Sequence, residues 1–197
     1  MSSKYPSAGI MRTNNYDIGE HVHRFAAWAA STAARASTGC RFTVSAGTKI
    51  IEDSPLYEIV KDPSKLPPPE DFDVAHREWR NGIVKKTKLF GLTHGVAAKL
   101  INCYLKASLI NHQSSVDKKI KAIHPPVDRI LLEALIKNDN LQFGKVLGTG
   151  NKIPAWSKLD SNAYENIIEA IKDILNYNTK KPSKGLWEIE EWWELKK

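Results

Sequence analysis

The sequence predicts an all-α fold, and three observations lead to this expectation. Several long segments place apolar residues at helical spacing, and the clearest of them contains Tyr164, Ile167, Ile168, Ile171 and Leu175. Only the run RFTV, residues 41–44, resembles a β-strand, and it is too short to define a sheet. No internal repeat occurs at the periods typical of solenoid proteins. The periodic segments together predict about eight helices.

The N-terminal part of the chain combines one alanine-rich helix with shorter helices. Residues 21–36 are rich in alanine and are followed by Gly39, which is typical of a helix end. Two short helices are predicted over 45–53 and 56–61, on either side of Pro55. The proline-rich segment 62–72 predicts a loop, and it is the best candidate for a crossover between two lobes.

The later helices are predicted from residues typical of helix N-caps. The expected caps and helices are Asp73 before 74–90, Thr93 or His94 before a helix ending near Ile110, Asp128 before 129–137, and Asp160 or Ser161 before 162–176. Residues 111–121 form a polar connection, and 147–156 are expected to form a second loop. The tail, 186–197, predicts a short helix docked by its tryptophans.

The length of 197 residues fits a single all-α domain over 1–197. Two helical lobes around a cleft are a possible subdivision of that domain. One lobe would combine residues 21–62 with the C-terminal helices. The other lobe, residues 73–150, would contain a glycine turn at Gly95.

The composition limits the classes of partner and compartment. There are 29 Lys and Arg against 22 Asp and Glu, a net charge of +7, which fits a nucleic-acid partner or ordinary solvated lysine. Cys40 and Cys103 are the two cysteines, which favours a reducing compartment and is too few for an iron–sulfur cluster. No run has the length of a membrane span, and the N-terminus lacks the apolar core of a secretory signal. The expected location is cytoplasmic.

Several common enzyme classes lack their motifs in this chain. There is no H-x-x-x-H pair, no glycine-rich P-loop and no G-x-S-x-G elbow. His21 and His23 are two residues apart and would face different sides of a helix. No metal site is therefore expected. Zinc peptidases, nucleotide hydrolases and α/β hydrolases are not leading interpretations.

Lys99 has an unusual position in the stretch HGVAAKLINCYLK, residues 94–106. The pattern places it in the first turn of a helix, where the helix dipole disfavours a cation. Burial and the helix N-terminus would both favour the neutral amine, which is the nucleophilic form of lysine. For Asp128 a helix N-terminus has the opposite effect on charge, because it favours the ionised carboxylate. A fixed anion there would stabilise an oxocarbenium-like sugar.

The order of these elements resembles that of the helix-hairpin-helix DNA glycosylases, and is nearest to the 8-oxoguanine DNA glycosylase/lyases. In the bifunctional members the hairpin reads roughly G-V-G-x-K, and a P-V-D segment follows at the start of a later helix. The corresponding residues here are GVAAK, 95–99, and PVD, 126–128, with Ala97 at the second glycine position. The resemblance covers residues 74–137. It implies that Lys99 is the nucleophile and Asp128 the essential carboxylate.

The resemblance also implies contacts with double-stranded DNA. Backbone N–H groups at a helix N-terminus bind anions, and a glycine lets a phosphate approach closely. The expected phosphate contacts are His94, Gly95, Val96 and Ala97. A monovalent cation at the hairpin is a further implication, and no other cofactor is expected. The candidates for a base pocket or wedge are Trp28, Trp79, Trp156, His94 and His124, among which the sequence does not choose.

Three functions follow as hypotheses. The first is base-excision repair by a DNA glycosylase with lyase activity, acting on a damaged base such as an oxidised purine. The second is a non-catalytic helix-hairpin-helix module that binds DNA in a salt-dependent manner without cleavage. The third is an all-α protein-interaction module that does not bind DNA. The relative position of Lys99 and Asp128 is the structural observation that bears most on this choice.

Overall fold

The computed structural model describes residues 16–35, 39–87, 89–111, 118–138 and 153–193, with only the backbone of Asn138. Over these ranges the chain forms helices and no β-strand, which confirms the all-α fold class. None of the helices in the same ranges is both long and apolar enough to cross a membrane.

The α-helices are α1 (Ile18–Ala34), α2 (Val44–Glu52), α3 (Leu56–Lys61), α4 (Phe72–Lys86), α5 (His94–Leu105), α6 (Lys118–Lys121), α7 (Arg129–Asn138) and α8 (Ser161–Leu175). Short 3₁₀ helices span Pro63–Lys65, Trp156–Lys158 and Leu186–Trp192. A π-helical turn, Lys106–Ile110, continues α5 and brings that segment to the predicted end at Ile110.

Side-chain caps fix the starts of several helices, as the sequence predicts for three of them. The caps Thr93, Asp128 and Asp160 each accept a hydrogen bond from the backbone N–H three residues later. Two further caps, Asp17 and Thr43, act in the same way. Such a bond satisfies one of the N–H groups that a helix start leaves without a partner.

In the first half of the chain the strand-like run belongs to the start of a helix, and the predicted cap and bounds of α4 are wrong. The run 41–44 is not a strand, because Thr43 caps α2 and Val44 is the first residue of that helix. The helix predicted over 74–90 begins at Phe72 and ends at Lys86. Asp73 therefore lies in the first turn of α4 and does not cap it. Its carboxylate instead binds His124 and Lys172, which are distant in sequence.

The buried apolar residues form two clusters. The first cluster joins α1–α5, and the alanines Ala26, Ala27, Ala30 and Ala34 let α1 pack closely against α5 and α2. The second cluster joins α7, α8 and the 3₁₀ helix Leu186–Trp192. Ala98 of α5 belongs to this second cluster, so α5 contributes to both. The candidate site lies on this shared helix.

This grouping differs from the predicted lobes. The C-terminal helices pack with α7, whereas the sequence assigned them to residues 21–62. The tail is docked by Leu186 and Ile189, which are fully buried, whereas Trp193 is 39% exposed. Trp192 also packs against the second cluster, so the predicted docking by tryptophans holds for Trp192 and not for Trp193. Most of the loop predicted at 147–156 lies outside the described residues.

The turn before α5 depends on Gly91, and not on Gly95 as the sequence predicted. Gly91 has a φ of 76°, in the left-handed region that favours glycine. A Cβ at this position would lie 2.1 Å from the carbonyl oxygen of Gly39. Gly95 is instead the second residue of α5. The hairpin bend is therefore four residues earlier than expected.

Candidate active site

Lys99 lies in the second turn of α5, one turn further into the helix than the sequence predicts. The hydroxyl of Thr93 caps the helix by accepting from the N–H of Val96 at 3.2 Å, and α5 begins at His94. The influence of the helix dipole fades beyond the first turn. Lys99 is nevertheless buried, since only 9% of the residue is exposed; among the described lysines, only Lys172, at 8%, is more buried.

The structure brings Lys99 and Asp128 together. The Nζ atom of Lys99 lies 3.4 Å from Oδ2 of Asp128. The other carboxylate oxygen, Oδ1, accepts the N–H of Leu131 at 3.0 Å and caps α7. The cap therefore fixes the carboxylate and leaves one oxygen directed at the lysine.

Trp156 completes the surroundings of the lysine amine. The Nζ atom of Lys99 lies 4.4 Å from the centre of a Trp156 ring, a distance typical of a cation–π contact. The ion pair and the aromatic face indicate an ammonium in this arrangement. The sequence predicted a neutral amine instead. The amine must therefore release a proton before it acts as a nucleophile.

The pair borders a cavity of about 450 Å³, within the range typical of small-molecule sites. One wall is α1, through Phe25, Ala29 and Ala33, and the opposite wall includes Leu131 of α7. The floor follows one face of α5 and its π-helical turn. The residues on that face are Lys99, Cys103, Lys106 and Ala107.

Lys106 and Glu190 form a second charged pair at this cavity, and sequence reasoning missed both. The Nζ atom of Lys106 donates to Oε2 of Glu190, which the terminal 3₁₀ helix carries. The other oxygen, Oε1, is buried and has no hydrogen-bond partner among the described residues. Burial raises the pKa of Glu190, against the opposing effect of Lys106. The helical spacing from Lys99 could have indicated Lys106, but nothing in the acidic tail singled out Glu190.

Cys103 lies on the same face of α5 but is not a candidate nucleophile. Burial raises the pKa of its thiol to about 11. The thiolate, which is the reactive form of cysteine, is therefore scarce near neutral pH.

The predicted phosphate contacts Gly95, Val96 and Ala97 are corrected by the structure, because all three residues are buried. The N–H of Gly95 donates to the carbonyl of Leu159, and that of Ala97 to the carbonyl of Thr93, both at 3.0 Å. The Val96 N–H is used by the helix cap. These three N–H groups already donate to acceptors within the protein, so they are not available to bind a phosphate.

His94 is the least buried of the four residues predicted to contact DNA. Its Nδ1 atom is buried without a hydrogen-bond partner among the described residues. Burial lowers the pKa of the imidazole, which favours the neutral ring. A contact between His94 and DNA stays a prediction, as does a monovalent cation at the hairpin.

Gly95→Ala is expected to lower the free energy of unfolding by about 1–3 kcal/mol. The added Cβ would lie 1.9 Å from the carbonyl oxygen of Trp156, so the backbone of that 3₁₀ helix would have to shift. Gly82→Ala is the matched control, because Gly82 lies within α4 and a Cβ there meets no atom within 4 Å. The control should be neutral or stabilise the protein by up to about 1 kcal/mol. Urea denaturation measures both, and equal effects would contradict the close approach.

The predicted pocket residues lie in four different environments, and only Trp156 contacts Lys99. Trp28 is 53% exposed on α1, beside Phe25, with ring centres 5.9 Å apart. Trp79 borders a separate cavity of about 840 Å³ between α2 and α4. His124 is buried and binds Tyr164 and Asp73. Trp79 and His124 therefore do not line the cavity beside Lys99.

Comparison with protein families, curated proteins and solved structures finds no match to this chain. Among the described side chains, no group of three or more His, Cys, Asp and Glu residues is arranged to hold a metal ion. The pair Lys99 and Asp128, with its cavity, is the arrangement from which a function can be inferred.

Proposed function

We propose that this protein is a DNA glycosylase with lyase activity, which removes a damaged base through a Schiff base on Lys99. One observation carries the proposal: a buried lysine amine lies 3.4 Å from a carboxylate that a helix start holds in place, at the edge of a cavity. This is the pair that the resemblance to helix-hairpin-helix glycosylases implies. Oxidised purines are the first class of damaged base to test.

Asp128 is the acceptor nearest to the proton that Lys99 must release. Once the amine is neutral, its lone pair attacks C1′ of the damaged nucleotide, and the bond from C1′ to the base breaks. The electron pair leaves with the base, which takes up the proton that Asp128 received from Lys99, so that Asp128 is an anion again. An anionic Asp128 stabilises positive charge that develops on the sugar before the new bond is complete. Opening of the sugar ring then leaves a Schiff base between C1′ and Lys99.

The cavity supplies groups suited to a polar, planar ligand. Lys106 offers N–H donors, and Glu190 offers an acceptor oxygen that has no partner among the described residues. The exposed rings of Phe25 and Trp28 stand on α1, and Phe25 lines the cavity. Aromatic faces of this kind stack on unpaired bases. Such a site accepts a base that has been rotated out of the duplex.

Borohydride trapping tests this proposal directly, because reduction of a Schiff base leaves a stable covalent bond. The full chain is incubated with duplexes that contain an oxidised purine, an alkylated base, a deaminated base or an abasic site. An undamaged duplex is the control. A DNA adduct on at least one damaged duplex, and none on the control, is the expected result on a denaturing gel.

Absence of an adduct on every duplex would refute the lyase activity. Salt-dependent DNA binding without an adduct would then favour the non-catalytic DNA-binding module. The buried N–H groups of the hairpin give that alternative no support. Lack of DNA retention even at low salt would favour the protein-interaction module.

A further inference from the structure

A series of hydrogen-bonded polar side chains, mostly buried, lies next to the candidate site and runs from Arg80 to Asp73. Arg80 can only donate, so its Nε–H requires Nδ1 of His76 to accept at 3.2 Å. The proton of His76 is therefore on Nε2, which donates to Oδ1 of Asn102 at 2.8 Å. This fixes the orientation of the Asn102 amide. The reversed amide would set its NH₂ group against the N–H of His76.

Both amide hydrogens of Asn102 then have defined acceptors. Its Nδ2 donates to the carbonyl oxygen of Pro125 at 2.8 Å and to the hydroxyl of Tyr164 at 2.9 Å. The Tyr164 hydroxyl in turn donates to Nδ1 of His124 at 3.0 Å. His124 donates from Nε2 to Asp73 at 2.9 Å. Each hydrogen bond from Arg80 to Asp73 in this series then pairs one donor with one acceptor, with neutral imidazoles at both histidines.

Burial favours the neutral form of both rings. Burial lowers the pKa of His76 well below its usual value, and the nearby His124 and Arg80 act in the same direction. Burial also lowers the pKa of His124, although Asp73 opposes this effect. The donor and acceptor assignments above require neutral imidazoles at His76 and His124, and the direction of both pKa shifts agrees with them.

The position of Asn102 connects this series to the candidate site. Asn102 is three residues after Lys99 on α5, and Pro125 is three residues before Asp128. The hydrogen bond thus joins the Asn102 side chain on α5 to the backbone segment that carries Asp128, three residues from each member of the ion pair. Asn102 is fully buried, so water does not compete for this bond.

We infer that Asn102 is a positioning residue, whose amide holds the segment 124–128 against α5 and thereby keeps the Asp128 carboxylate beside the Lys99 amine. The effect on catalysis rests on the proposed function, whereas the geometric role does not. An amide suits this position because it combines one acceptor for His76 with two donors. Leucine has a similar size but supplies neither.

The test compares Asn102→Leu with a matched variant of the same helix. Tyr104→Phe removes the buried hydrogen bond between the Tyr104 hydroxyl and His23, 2.8 Å long, on the opposite face of α5. Both variants lose buried hydrogen bonds, but only Asn102→Leu releases the segment that carries Asp128. Asn102→Asp is a second variant, which keeps the side-chain size and the acceptor for His76 and lacks the N–H donors to Pro125 and Tyr164.

Reductive methylation with formaldehyde reports the surroundings of Lys99 without DNA. The rate at Lys99 is measured by peptide mass spectrometry at one pH, with the exposed Lys49 as an internal reference. In the Asn102 variants the rate at Lys99 should rise roughly tenfold, because the amine loses its ion pair and part of its burial. Tyr104→Phe should methylate Lys99 at the wild-type rate. Unchanged methylation in a folded Asn102 variant would overturn the inference.

Borohydride trapping then measures the consequence for the reaction. Asn102→Leu should lower the rate of adduct formation roughly 100-fold, as a small displacement of a reacting group does. Tyr104→Phe should react at the wild-type rate. A wild-type rate in Asn102→Leu would also overturn the inference. If the wild-type protein forms no adduct, the proposed function fails, and the methylation rates still decide the role of Asn102.

Discussion

Lys99→Gln is expected to lower formation of the borohydride-trapped DNA adduct by roughly 1000-fold or more. Glutamine has no nucleophilic amine, so it cannot form the Schiff base on which trapping depends. The substitution also leaves Asp128 without its ion-pair partner, 3.4 Å away. The measurement is the rate of adduct formation at saturating protein, on the damaged duplex that the wild-type protein traps fastest.

Lys106→Gln is the matched control for this prediction. Lys106 lines the same cavity, seven residues further along the chain, and its amine binds Glu190 and not Asp128. Its substitution should weaken DNA binding and still yield the adduct at saturating protein. Persistence of the adduct in Lys99→Gln would show that another amine is the nucleophile. Fluorescence anisotropy of labelled DNA separates lost binding from lost chemistry.

Arg80→Met is expected to lower the free energy of unfolding by about 3–5 kcal/mol. Arg80 is 1% exposed, and its guanidinium binds Glu165, Ser161 and His76. The group also lies 4.5 Å from the centre of the Tyr164 ring. Methionine keeps much of the apolar volume, but it leaves the buried Nδ1 of His76 without its donor and removes the charge paired with Glu165. Urea denaturation measures the change.

Arg77→Met provides the comparison, because Arg77 also lies on α4 and also binds Glu165. Its two hydrogen bonds are short, at 2.6 and 2.8 Å, but its side chain is 48% exposed. Exposed ion pairs contribute about 1 kcal/mol or less. An equal loss of stability in the two variants would contradict the claim that burial sets the contribution of Arg80.

Glu165 explains why the two arginines differ although they share a partner. Burial raises the pKa of this carboxyl, but hydrogen bonds from Arg77, Ser161 and Arg80 outweigh burial and lower the pKa to about 2. In Arg80→Met the carboxylate keeps Arg77 and Ser161 as donors, whereas His76 and Tyr164 lose their cation. The cost of the substitution therefore falls mainly on the series of polar side chains from Arg80 to Asp73.

Local patterns in the sequence predicted most of the helices, but not α6, which lies within the polar connection expected over 111–121. Thr93, Asp128 and Asp160 were predicted as caps because a short polar side chain before an apolar periodic segment can satisfy the first N–H groups of a helix. The spacing of five residues predicted the buried face of α8. The first four, Tyr164, Ile167, Ile168 and Ile171, are buried, and Leu175 is partly buried. These properties depend on neighbouring residues along the chain, which the sequence displays directly.

The same local reasoning was wrong where a distant residue decided the outcome. Asp73 has the pattern of a cap, but it is placed within α4 and binds His124 and Lys172. Gly95 has the pattern of a phosphate-binding turn, but the backbone of Trp156 lies against it. In both cases a contact across the fold gave the residue its role, and no spacing along the chain encodes that contact.

The amino-acid sequence by itself determined that the chain is helical and where several of its helices begin. It also identified Lys99 and Asp128 as the candidate catalytic pair. Only the tertiary structure decided that their side chains meet, that Lys106 and Glu190 share their cavity, and that Asn102 joins the two segments. Helix formation follows from short-range hydrogen bonding and apolar periodicity. The site, in contrast, depends on packing among α1, α5, α7 and the C-terminal 3₁₀ helix, which residues far apart in sequence determine together.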